Sequence, residues 1–126
     1  MKKLMTVLGF GLLCMSFSIQ SDTDDIVNAL KQGNSEKFSK YFDNILDVKL
    51  PEKDEIKNIS KTQAGITMKN FFDENNIKGF EVTNQRELGG TMYITGKLQG
   101  SAKLYNLTLM MKTSGNTLTI ITVRIS

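Results

Sequence analysis

The sequence predicts an α+β fold in which helices pack on one curved antiparallel sheet. Residues 79–126 contain four segments that alternate apolar and polar residues and show no helical period. Turn residues such as Gly89-Gly90 and Ser114-Gly115-Asn116 separate these segments. Consecutive hairpins of this kind form one antiparallel sheet. The residues before them show helical spacing, so we expect helices to cover the apolar face of the sheet.

The N-terminal residues have the pattern of a secretory signal peptide. Lys2 and Lys3 precede an apolar run, Leu4–Phe17, and small serines follow it. The run has about 14 residues, whereas a membrane-spanning helix needs roughly 20. We therefore expect cleavage near Ser18 or Ser21 and no stable membrane span afterwards.

Cleavage would leave a single domain, residues 22–126, without cysteine. Cys14 is the one cysteine of the chain. Lipidation of Cys14 is disfavoured, because Leu13 is bulky where the lipoprotein peptidase requires a small residue. The sequence thus predicts a periplasmic or extracellular protein that its hydrophobic core holds together without disulfides.

The charge of the chain does not indicate a nucleic-acid partner. The formal net charge is +3, and loss of Lys2 and Lys3 with the signal peptide lowers it to +1. The remaining basic residues form no stripe with interleaved aromatic residues. We therefore expect no nucleic-acid binding.

Two short helices and a short strand are predicted at the start of the mature chain. Acidic residues at 22–25 can cap a first helix, and Gly33 can end it. A second helix begins at Asn34 or Ser35, and a strand at residues 46–50 follows it. The second helix has an apolar face made of Phe38, Tyr41, Phe42 and Ile45. Pro51–Asn58 is predicted to be an exposed, charged connection.

The third helix has the clearest local signals. Ser60 and Gln63 have the spacing of a capping box, and Ile59 and Ala64 can form a hydrophobic staple across it. The apolar face of this helix consists of Ala64, Met68, Phe71 and Phe72. Phe71 and Phe72 are too large to be exposed together, so we expect this helix to lie on the concave face of the sheet.

Alternation assigns one apolar face to the four C-terminal strands. This face is made of Phe80, Val82, Met92, Ile94, Leu98, Tyr105, Leu107, Leu109, Met111, Ile121, Val123 and Ile125. The third and fourth strands also carry apolar residues on the opposite face, namely Leu104, Met110, Leu118 and Ile120. Either a bulge switches the pattern or the second face is partly covered. A homodimer through this outer sheet face would cover it.

The order of elements resembles the cone-shaped nuclear-transport-factor-2-like (NTF2-like, cystatin-like) fold. More narrowly, the chain is similar to the small exported bacterial proteins of domain of unknown function family 4783 (DUF4783). The resemblance rests on residues 25–34 (DIVNALKQGN), 39–42 (SKYF) and 60–64 (SKTQA), and on Phe71-Phe72, Gly79-Phe80 and residues 123–125. It implies this fold and export, and it implies no activity. In similar folds a cavity lies between the helices and the concave sheet.

The residue types of the mature chain favour a non-catalytic binding or interaction domain. The chain has no His, so the usual general base near neutral pH is absent. No thiolate remains after export, and the sequence indicates no catalytic residue, metal ligand or cofactor. Seven apolar residues either fill the cone or line a hollow for a small apolar ligand: Phe38, Phe42, Met68, Phe71, Phe72, Met92 and Met111.

An enzyme is the alternative interpretation. A ketosteroid-isomerase-like or dehydratase-like reaction would use Tyr41 together with Asp43 or Asp47. It requires at least one of these carboxyl groups to point inward with a raised pKa.

Overall fold

The computed structural model describes residues 20–126, so the predicted signal peptide, including Cys14, lies almost wholly outside the described residues. Helix α1 covers residues 20–31. The remaining elements follow in chain order: α2 Ser35–Ser39, β1 Phe42–Lys49, β2 Ile56–Ser60, α3 Lys61–Asn75, β3 Gly79–Leu88, β4 Thr91–Gln99, β5 Leu104–Ser114 and β6 Thr117–Ile125. No helix within residues 20–126 is long and apolar enough to cross a membrane.

The six strands form one curved, unclosed sheet in the order β2-β1-β6-β5-β4-β3. Within residues 20–126 three helices accompany this sheet, which confirms the predicted α+β fold. Neighbouring strands are antiparallel except β1 and β6, which run parallel. The predicted antiparallel pairing holds for β3–β6, and the parallel pairing of β1 with β6 was not predicted. The first and last strands meet through the tertiary fold, and no local pattern marks such a pairing.

The second helix is shorter than predicted. It ends at Ser39, and β1 begins at Phe42. Phe38 and Phe42 are buried, whereas Ile45, expected on the same helical face, is 56% exposed. A short apolar run fits either period, and Phe42 reaches the core as the first residue of a strand.

Strand β2 replaces the end of the predicted exposed connection. It pairs with β1 at the edge of the sheet, with Leu46 opposite Ile59. Of its five residues only Ile59 is buried, so the alternation that identifies a half-buried strand is missing. Asn58 lies in the left-handed region at φ 57°, and its backbone N–H donates to Asp47 Oδ1 at 2.9 Å.

Helix α3 follows the sequence prediction. Ser60 is its N-cap, and the Ser60 Oγ accepts a hydrogen bond from the backbone N–H of Gln63 at 3.2 Å. Its buried residues are Ala64, Met68, Phe71 and Phe72. The helix ends at a left-handed Asn76, a common way to terminate a helix.

Gly33 fixes the turn between α1 and α2. Its φ is +65°, and a Cβ at this position would overlap the carbonyl oxygen of Ile77, which follows α3. The N–H of Asn34 bonds to the carbonyl oxygen of Ala29 at 2.8 Å. A glycine is therefore required both by the backbone conformation and by the close approach of a second chain segment.

A bulge in β6 accounts for its apolar residues on two faces. Ile120 lies opposite Met111 and Thr122 opposite Met110, so Ile121 is the additional residue. Because the pattern switches there, β6 buries Leu118, Ile120, Val123 and Ile125. The prediction that Ile121 shares a face with Val123 and Ile125 was wrong for Ile121. The predicted inner faces of β4 and β5 are the buried ones.

Candidate functional site

The seven residues predicted to fill or line the cone are all buried between the helices and the sheet. Their exposed fractions are 0% for Phe38, Met68 and Met111, 3% for Phe42 and Phe72, 6% for Met92 and 8% for Phe71. All seven belong to one hydrophobic cluster. They lie among other buried apolar side chains.

Aromatic rings occupy the centre of this cluster. Phe38 meets Phe42 edge to face at 5.1 Å between ring centroids, and it stacks on Phe72 at 6.0 Å. Phe71 in turn lies 6.4 Å from Phe72. Phe71 is the one member of the seven that also lines one of the surface pockets described below.

That pocket, which we call the end pocket, opens at one end of the layer between α3 and the sheet. Its volume is about 480 Å³. Its walls come from the β1–β2 connection, the C-terminal half of α3 and the start of β5. The lining residues are Leu50, Pro51, Glu52, Lys53, Ile56, Thr67, Asn70, Phe71, Glu74, Asn75, Lys103 and Tyr105.

Two aromatic residues form the floor of the end pocket, and a hydrogen bond ties the Tyr105 side chain to helix α3. The rings of Phe71 and Tyr105 meet edge to face at 5.3 Å. The Tyr105 hydroxyl donates to Asn75 Oδ1 at 2.8 Å, and Asn75 Nδ2 donates to the Phe71 carbonyl oxygen at 2.9 Å. The Ser101 N–H bonds to the Asn75 carbonyl oxygen at 3.0 Å. The floor is therefore fixed before any ligand arrives.

Four charged residues surround this floor. The Lys103 Nζ lies 5.1 Å from the centroid of the Tyr105 ring, within cation–π range. Lys53, Glu52 and Glu74 are exposed. Within residues 20–126 none of these four charged residues forms an ion pair. Both signs of charge are thus available to a ligand.

A larger groove lies between α2 and α3, with a volume of about 800 Å³. Most of its lining residues are polar, as in the end pocket, and three of its five charged side chains are already engaged. Lys69 and Asp73 form an ion pair at 2.8 Å, and Lys61 Nζ donates to the Lys40 carbonyl oxygen at 3.1 Å. The groove has no aromatic residue in its lining, so it offers less for recognition than the end pocket.

Tyr41, the residue of the enzyme hypothesis, has a different partner from those predicted. Its hydroxyl donates to Asp25 Oδ2 at 3.0 Å, beside a pocket of about 370 Å³. The pKa of Tyr41 is raised from 10.0 to about 12. Burial is the largest cause, and the hydrogen bond to Asp25 and the charges of Asp25 and Asp22 add to it. The sequence assigned Asp25 to a helix cap and gave no signal of this contact.

Asp43 and Asp47 each have other partners. Lys112 Nζ lies 3.0 Å from Asp43 Oδ2. The hydrogen bond from Lys112 lowers the pKa of Asp43, and the backbone N–H of Asn44 lowers it further. Asp47 accepts the N–H of Asn58. Residues 20–126 also contain no cluster of three acidic, His or Cys side chains that could hold a metal ion.

Comparison with solved structures defines the class of protein. An NTF2-like protein of unknown function from Cytophaga hutchinsonii has a TM-score of 0.58 at 11% identity, over 85% of this chain and 87% of that chain. An uncharacterised cystatin-fold protein from Novosphingobium aromaticivorans has a TM-score of 0.62 at 8% identity, over 84% of this chain and 95% of that chain. The described residues therefore have the NTF2-like, cystatin-like fold.

The chain belongs to the DUF4783 family, a domain of unknown function, whose family profile matches residues 23–126. It is similar to a DUF4783 protein from Bacteroides ovatus, with a TM-score of 0.75 at 25% identity over 80% of this chain and 90% of that chain. A DUF4783 protein from Bacteroides uniformis has a TM-score of 0.75 at 23% identity, over 82% and 94%. No curated protein matches the chain.

Proposed function

We propose that this protein is an exported, non-catalytic binding domain whose ligand site is the end pocket. The observation that carries this proposal is the Phe71–Tyr105 floor, which Asn75 holds in place at an open cavity. The cavity volume of about 480 Å³ falls in the range of roughly 300–1,000 Å³ that is usual for small-molecule sites. Such sites combine apolar surface with polar groups that orient the ligand, and here polar and charged residues surround the aromatic floor.

The packing of the core supports placing the ligand at this end rather than in the middle of the cone. Phe38 and Met68 have no exposed area, and the ring of Phe38 contacts two other rings. A ligand in that position would have to displace buried side chains. The end pocket is open, so a ligand can enter it without displacing a buried side chain.

The charges argue for binding rather than for proton transfer. The enzyme hypothesis requires a carboxyl group with a raised pKa, and the pKa of Asp43 is lowered instead. The Tyr41 hydroxyl, with its pKa near 12, is a poor proton donor at neutral pH. No specific observation favours an enzyme.

A blocking substitution tests the site. Asn70 is an exposed residue of α3 that lines the end pocket, so Asn70→Trp should fill the cavity. Gln63→Trp places the same side chain at an exposed position of α3 outside the pocket and is the matched control. Phenylacetamide and octyl glucoside, the latter below its micelle concentration, serve as neutral probes in thermal-shift and titration measurements.

The proposal predicts that wild type and Gln63→Trp bind at least one probe and that Asn70→Trp binds it at least about tenfold more weakly. Equal binding by wild type and Asn70→Trp would place the site elsewhere. The absence of binding by all three proteins would count against a ligand site of this kind.

We also propose that the protein self-associates through the outer face of the sheet. Tyr93 lies opposite Met110 on that face, and both are half-buried. Leu104, on the same face, is 61% exposed. Light scattering over a concentration series should show a dimer; a monomeric mass at the highest concentration contradicts it.

A further inference from the structure

Contacts hold Lys103, one of the four charged residues of the end pocket, above the pocket floor. The Gly100 N–H bonds to the Lys103 carbonyl oxygen at 3.0 Å and closes the β4–β5 turn. The same turn is joined to α3, because the Ser101 N–H bonds to the Asn75 carbonyl oxygen. The ammonium group of Lys103 then lies over the ring of Tyr105. Backbone and ring together position this cation.

The Lys103 ammonium group can donate hydrogen bonds to a ligand. An ammonium group carries three N–H donors, and the contact with the ring face of Tyr105 is electrostatic and uses the ring as a weak partner. Within the described residues Lys103 has no carboxylate partner. Lys53 supplies a second ammonium group from the β1–β2 connection.

We propose that the ligand of the end pocket is an amphipathic carboxylate. This inference rests on the proposed function of the pocket and names its ligand class. The apolar or aromatic body of the ligand contacts Phe71 and Tyr105, and its carboxylate accepts hydrogen bonds from Lys103 Nζ. Lys53 adds attraction from the β1–β2 connection.

The alternative charge types fit less well. A cationic ligand on the floor would lie beside the Lys103 ammonium group, and like charges at short range repel. A neutral ligand gains the apolar contact and at most a hydrogen bond without attraction between two charges. Glu52 and Glu74 are exposed to water, and no contact fixes either carboxylate over the floor, so they contribute less to recognition than Lys103.

Three probes with one aromatic body and different charges test the inference: phenylacetate, phenylacetamide and phenethylamine. Chemical-shift mapping gives both the binding position and the affinity. Wild type should bind phenylacetate roughly five- to tenfold more tightly than phenylacetamide, because a hydrogen bond between two charged groups is stronger than one to a neutral amide oxygen. It should bind phenethylamine most weakly. The preference for phenylacetate should decrease at high salt.

Lys103→Met keeps most of the length of the side chain and removes its charge, so it should strongly reduce the preference for phenylacetate. Lys103→Arg should retain it. Lys57→Met removes a charge from an exposed position of β2 outside the pocket and should leave the preference unchanged. This control separates the Lys103 contact from the effect of net charge.

The outcomes distinguish the two proposals. If the three probes bind in the end pocket with equal affinity, or if Lys103→Met keeps the preference, the carboxylate inference is wrong and the pocket remains a binding site. A preference for phenethylamine would assign recognition to Glu52 and Glu74 and would also overturn the inference. If no probe shifts the signals of Phe71 and Tyr105, both proposals fail.

Discussion

Phe38→Ala measures how completely apolar side chains fill the space between the helices and the sheet. Phe38 is fully buried and packs against Phe42 and Phe72. Truncation of a Phe in a filled core costs about 3–5 kcal/mol, because apolar contacts are lost and a cavity remains. The two ring contacts contribute about 0.5–1.5 kcal/mol each to that loss. Urea unfolding, followed by circular dichroism, gives the change in the free energy of unfolding.

Phe71→Ala is the matched comparison. Phe71 is 8% exposed and borders the end pocket, so water can enter the space that its ring leaves. We expect this variant to lose about 1 kcal/mol less than Phe38→Ala. Phe38→Leu, which should lose about 1–2 kcal/mol, keeps the test valid if Phe38→Ala does not fold. A loss below about 1.5 kcal/mol for Phe38→Ala, or a larger loss for Phe71→Ala, would refute the filled core.

Three further predictions concern the backbone and two titrating groups. Gly33→Ala should destabilise the fold by at least about 3 kcal/mol, because the new Cβ overlaps the carbonyl oxygen of Ile77. Gly115 also has a positive φ but open space around it, so Gly115→Ala should cost about 1–2 kcal/mol. Similar losses for the two variants in thermal unfolding would contradict the overlap. Asp43→Asn should cost at most about 1 kcal/mol at neutral pH. The pKa of Asp43 is lowered on folding. The stability difference between wild type and Asp43→Asn should therefore disappear as the pH falls from 3.8, the ordinary pKa of an aspartate, through the folded-state pKa. A stability difference that persists in acid would argue against the ion pair. Because the pKa of Tyr41 is raised, its contribution to stability is complete below pH 10.0 and is lost as the pH rises to about 12. Asp25→Asn should lower the pKa of Tyr41 in an ultraviolet titration. An unchanged pKa of Tyr41 would show that Asp25 is not the partner of its hydroxyl.

The sequence predicted the elements whose signals are local. Helix α3 has a capping residue, Ser60, and an apolar face at helical spacing, so its start and its buried side could both be predicted. The meander of β3–β6 was predicted because glycine turns separate strands whose inner faces alternate. The edge strand was missed, since Ile59 alone is buried there. The boundary between α2 and β1 was placed wrongly because Phe42 satisfies a helical and a strand pattern equally.

The core residues of the candidate site could be predicted, and the end pocket could not. Phe71 was recognised because large apolar residues at helical spacing must be buried. Tyr105 was expected on the inner face of its strand, but its bond to Asn75 joins residues 30 positions apart. The place of Lys103 over the Tyr105 ring likewise depends on how the β4–β5 turn meets the end of α3. Contacts of this kind follow from tertiary structure and leave no pattern in the neighbouring sequence.

We expect a ligand to bind at the end of the cone and not in its interior. Methyl NMR of protein labelled at Met, Leu and Ile distinguishes these two positions, with phenylacetamide and octyl glucoside as titrants. Leu50 and Ile56 line the end pocket, whereas Met68 and Met111 are fully buried in the core. We predict that the Leu50 and Ile56 methyl signals shift while those of Met68 and Met111 stay in place. Shifts at Met68 and Met111, with Leu50 and Ile56 unchanged, would place the ligand in the interior and contradict the proposed site.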